Sequence, residues 1–183
     1  ETHLWRELHM HMFRMLGADL ANSVSLGATA TEQAAFCDVA LGRLDVHLRP
    51  VALSAQRPVD VVVLDSAVTL MGRQLGVAYL VSLLRGEGFP NVICVVTGMS
   101  AKLRYRMRTN PQIDVVLRKG VAPTAFCTHM GHALATRRRD QPSAGTSALP
   151  VPPLYTDLSE PRAEPCSLVC VGLAADEVTR RTL

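Results

Sequence analysis

The sequence predicts a doubly wound α/β domain, a five-stranded parallel sheet with helices on both faces. Three observations carry this. The runs VDVVVLD (59–65), NVICVVTG (91–98) and IDVVLRKG (113–120) are almost continuously apolar, as strands buried on both faces of a parallel sheet are. The segments between them have helical character and roughly the dozen-residue length that a parallel crossover needs. At 183 residues, 48% hydrophobic and 19% charged, the chain can bury one sizeable core and is not disordered throughout.

Each element follows from local chemistry. Residues 1–19 read as an amphipathic N-terminal helix or linker, with Leu4, Leu8, Phe13 and Leu16 near one face and Trp5, Met12 and Met15 beside them. SVSL (23–26) is a short strand. Thr29 and Glu32 stand at capping-box spacing, opening a helix from about Ala30 to Leu44 with Ala34, Cys37, Leu41 and Leu44 on one face. DVHLRPVAL (45–53) is a weak extended piece, and LSAQRP (53–58) a turn. After VDVVVLD, residues 74–85 fit a helix despite Gly76, and GEGFP (86–90) stops it. SAKLRYRMR (100–108) is a basic helix, and TAFCTHMGHALATRR (124–138) a last one. The domain thus spans 20–139. The tail, 140–183, holds Pro142, Pro150, Pro152, Pro153, Pro161 and Pro165 among small polar residues and acids, and reads as flexible.

Several function classes drop out. Every apolar run is interrupted well before the ~18–20 residues that span a bilayer, and ETHLWRELHMHMF is too polar for a signal peptide. Five cysteines, an odd number without a second ligand pair beside Cys166 and Cys170, point to reduced thiols and a cytoplasmic setting. A net charge of +3 gives no argument for nucleic acid. His9 with His11, and His129 with His132, lack a third metal ligand in register. No P-loop or GxGxxG turn is present, and 4% aromatics leave little to stack on a flavin.

In an open parallel sheet, ligands bind beyond the carboxyl ends of the strands. Those ends carry Asp65, then Thr97 and Gly98, then Lys119 and Gly120. A carboxylate that can accept a phosphoryl group therefore converges with a hydroxyl and an ammonium that can bind its oxygens. An ordinary strand-edge salt bridge between Asp65 and Lys119 is the other reading.

Over about residues 22–136 this pattern resembles the receiver domain of two-component response regulators and hybrid histidine kinases, a flavodoxin-like fold. The resemblance implies a phosphoacceptor Asp65, assisted by Thr97 and Lys119 and by the backbone amides of Ala67 and Gly98, without independent turnover. It implies a histidine kinase or phosphotransfer protein as partner. Receivers also hold Mg²⁺ through the acceptor and two acids after the first strand. If SVSL is that strand, Gly27 and Ala28 stand in their place. If FRMLGAD (13–19) is, Asp19 joins Asp65 at the metal. The usual switch aromatic is Val116, and the usual proline after the lysine is Gly120. These departures keep a second function open, a degenerate pseudo-receiver that binds proteins independently of phosphorylation. The basic helix and Arg137–Arg139 lie on what would be the signalling face. The N-terminal helix is a candidate for dimerisation, for linkage to another module, or for packing on its own domain.

Overall fold

The structure, a computed structural model, describes residues 2–27, 29–66, 69–70, 73–74, 76–140 and 168–171. Helix α1 (Thr2–Met15) opens the chain, followed by a 3₁₀ turn at Leu20–Asn22 and strand β1 (Val24–Leu26). Helix α2 (Ala30–Ala40) and a second 3₁₀ turn (Leu53–Ala55) lead to β2 (Val61–Asp65). A two-stranded antiparallel ladder of β3 (Thr69–Leu70) and β4 (Arg73–Gln74) precedes α3 (Val77–Gly86). Then come β5 (Val92–Thr97), α4 (Ala101–Arg108), β6 (Val115–Arg118), α5 (Pro123–Asp140) and finally β7 (Leu168–Val171).

The main sheet has the order β1-β7-β2-β5-β6, with every neighbouring pair parallel. Alternate residues of its strands feed two cores. Val62, Leu64, Ile93, Val95 and Val116 pack against Phe36 and Val39 of α2 and Leu80, Val81 and Leu84 of α3. Val61, Val63, Val92, Cys94, Val96, Val115 and Leu117 meet Met12 and Phe13 of α1 and Phe126 and Met130 of α5. The rings of Phe13 and Phe126 lie 6.0 Å apart at 46°, a tilted aromatic pair. Helix α1 therefore packs on its own domain.

Local signals explain the helix ends. The Thr29 hydroxyl accepts from the Glu32 amide at 3.2 Å, as a capping box requires. The Glu32 carboxylate reaches past Thr29 and accepts from the Gly27 amide at 2.9 Å. Helix α2 stops at Ala40, short of the expected Leu44, because Gly42 turns the chain at φ +72. A Cβ there would fall 2.0 Å from the Arg57 carbonyl oxygen, so only glycine fits.

Three expectations are corrected. FRMLGAD is not a strand: Phe13–Met15 complete α1, and Asp19 caps the 3₁₀ turn by accepting from the Ala21 amide at 3.0 Å. DVHLRPVAL adds no strand to the sheet; Leu44 and Pro50 form one isolated bridge. The tail is not wholly flexible, since Leu168–Val171 lies between β1 and β2, with Ser25 paired to Cys170 and Leu64 to Val171. The run LVCV is uncharged and half β-branched, residue types suited to a central strand, and local composition around the prolines obscured it. The rest of the tail lies outside the described residues. Among the described residues, no helix is long and apolar enough to cross a membrane.

Candidate functional site

The carboxyl ends of β2, β5 and β6 bring Asp65, Thr97 and Lys119 together. Asp65 ends β2 and Thr97 ends β5, and Lys119 directly follows β6. Strand β5 lies between the other two, so the hydroxyl-bearing residue stands between acid and amine. The Lys119 ammonium is 2.6 Å from Asp65 Oδ2, with side chains 31% and 22% exposed. Both groups are thus sheltered enough to interact strongly and open enough to meet a ligand.

Backbone hydrogen bonds fix this edge. The Lys119 amide donates to the Thr97 carbonyl at 2.9 Å, and the Ser66 amide donates to the Val96 carbonyl at 2.9 Å. Thr97 is fully buried, and its Oγ1 accepts from the Met99 amide at 3.0 Å, shaping the loop after β5. Gly98 leaves room at the rim: an added Cβ would sit 3.7 Å from Lys119 Cδ, an ordinary contact. Ala67 lies outside the described residues.

His9 is the residue that sequence reasoning missed here. It is buried on α1 and feels both Asp65 and Lys119. Burial holds its imidazole below the ordinary pKa, with Asp65 opposing that shift and Lys119 adding to it. Its spacing from Met12 and Phe13, both buried, puts all three on one helical face, and that periodicity was the available signal. His11 is exposed, so the two histidines face different surroundings and do not form a ligand pair.

The proposed metal ligand Asp19 belongs to the opposite end of the sheet. It lines a surface pocket with Gly42 and Val59, the latter just ahead of β2, whereas Asp65 closes that strand. Gly27 follows the edge strand β1, and β7 intervenes between it and β2, so it does not flank Asp65 in a neighbouring strand; Ala28 lies outside the described residues. The last registered pair on that side of β2 is Leu64 with Val171. Among the described residues, no group of three or more His, Cys, Asp or Glu could hold a metal.

A second feature is a groove of about 680 Å³ along the sheet edge at β6. Arg108, Asp114, His129, His132, Thr136 and Arg137 border it over Val115, Val116 and Ala133, with Arg137 paired to Asp114. Residues 99–139 contain nine Lys or Arg and one acid, Asp114. Val116 is 6% exposed and belongs to the α2–α3 core, so it fills space in the interior.

No family model matches the chain, and no curated protein matches it. Among solved structures it is similar to the signal receiver domain of a putative LuxO repressor protein from Vibrio parahaemolyticus. The two are 11% identical, the match covers 65% of this chain and 94% of that one, and the TM-score is 0.40. A likeness at that level carries no argument about chemistry, which rests on the side chains of this chain.

Proposed function

We propose that the chain is a receiver domain that accepts a phosphoryl group on Asp65 from the phosphohistidine of a kinase or phosphotransfer protein. The observation that carries this is the 2.6 Å pair of Asp65 and Lys119, with Thr97 on the strand between them. The sheet order adds support. Counted from β7 as the first strand, β1-β7-β2-β5-β6 is the order 2-1-3-4-5 of flavodoxin-like sheets.

In the reaction an Asp65 carboxylate oxygen attacks phosphorus, the P–N bond breaks, and the histidine nitrogen leaves with that electron pair. The acyl phosphate adds negative charge, which the Lys119 ammonium faces. The Thr97 hydroxyl turns to donate to a phosphoryl oxygen, and the Gly98 amide provides a second donor. Both oppose charge by placed hydrogen bonds. The modified state then shifts the population of conformations on the α4, β6 and α5 side, where that groove lies.

The second reading, a phosphorylation-independent interaction module, draws on Val116 in the aromatic's place and on the lack of a second carboxylate at Asp65 among the described residues. Incubation with acetyl phosphate, with and without Mg²⁺ and read by intact mass, separates the two. The first reading expects a base-labile adduct that Asp65→Asn abolishes. A folded protein that stays unmodified at high donor concentration favours the second. A strict requirement for Mg²⁺ would mean that the ion takes part at Asp65.

A further inference from the structure

We infer that the gap between β1 and β2 is a binding slot for an extended apolar strand, and that Leu168–Val171 is its separable occupant. This goes beyond the phosphoacceptor reading and does not depend on it.

The connectivity leaves that slot one strand wide. The chain passes from β1 through α2 to β2, yet these strands are not neighbours. Strand β7 fills the space and pairs on both sides, Val24–Leu26 with Val169–Val171 and Val61–Leu64 with Leu168–Val171. Among the described residues β1 has no other partner in the main sheet, so there β7 is what ties it to β2.

The slot's chemistry selects its occupant. Leu26, Val61, Val62, Val63 and Leu64 at its walls are all buried, 2% exposed or less. An empty slot would expose this apolar surface and two unpaired strand edges. The sequence LVCV carries no charge and has the residue types suited to a central strand. β2 leads to β5 through the β3–β4 ladder and α3, and β5 to β6 through α4, whereas β7 is joined to α5 through residues 141–167. That length of chain keeps the strand at high effective concentration while leaving docking a separate, reversible event.

The test uses the full chain with a protease recognition sequence placed within residues 141–167, cut after folding. The carboxyl-terminal fragment should remain bound on gel filtration, with the amides of β1 and β2 still protected from hydrogen exchange. Excess synthetic peptide spanning residues 164–175 should then displace it. Val169→Pro in the peptide removes a ladder N–H and should weaken displacement by about tenfold or more. Two results would overturn the inference. In one, the fragment departs on cutting while protection of β1 and β2 is unchanged, so the strand never held them together. In the other, it stays bound and does not exchange with peptide over days, so it is a fixed part of the fold.

Discussion

The two ends of the sheet each hold a carboxylate among cations, in very different ways. At the amino end, Asp114 accepts from the Ile93 amide at 2.7 Å and from Arg85 Nη2 at 2.7 Å. Arg137 reaches its other oxygen, with Nε at 2.7 Å and Nη2 at 2.6 Å. Arg85 is itself anchored to the carbonyls of Phe89, Asn91 and Gln112, and its guanidinium lies 5.7 Å from the Phe89 ring centre. At the carboxyl end, Asp65 faces the ammonium of Lys119. Rigid guanidinium forks lock a carboxylate in one geometry, whereas an ammonium on four methylenes is a point charge that can follow an incoming anion. The first arrangement suits a structural brace joining α3, β5, β6 and α5. The second suits a site where charge is to be added.

That contrast can be broken by mutation. Asp114→Ala should cost the most, about 3 kcal/mol in urea unfolding, because it leaves Arg85 and Arg137 sheltered without their common partner. Asp65→Asn should change stability by about 1 kcal/mol or less, while eliminating any phosphoryl adduct. Equal losses for the two variants would make Asp65 a brace as well and remove its distinction. A pH series sharpens the picture at the same edge. The folded pKa of His9 lies below 6.5, so the unfolded chain takes up a proton first. Its contribution to stability is complete above about pH 6.5 and declines as pH falls from there toward the folded value. The urea midpoint should drop over that range, and His9→Gln should flatten the slope. The smallest effect is expected at Ser25, whose buried hydroxyl oxygen has no hydrogen-bond partner among the described residues. Ser25→Ala should leave stability unchanged or raise it by up to about 1 kcal/mol.

Much of the middle of the molecule was legible because its elements are locally consistent. The apolar runs became β2, β5 and β6, and their last or next residues placed Asp65, Thr97 and Lys119 at one edge. The brace was not legible, since Asp114 looks like any acid before a strand, and its two arginines come from distant helices. His9 was missed as part of the edge because sequence spacing invites pairing with His11, while the fold buries one and exposes the other. The strand order was the largest gap. LVCV has strand-forming residues, but four of them beyond a run of prolines do not say that they lie between β1 and β2.

The position of β7 also dictates an order of events during synthesis. A ribosome delivers β1 early, but its one neighbour in the main sheet among the described residues arrives near residue 168. Until then β2, β5 and β6 can associate through nearby crossovers, while β1 waits with an exposed edge. Joining distant segments so late raises the average sequence separation of native contacts, which slows folding. It also prolongs the interval in which unpaired strands can recruit another chain. The nascent chain should therefore show two stages, a compact β2–β6 unit first and a closed five-stranded sheet only after the last strand emerges.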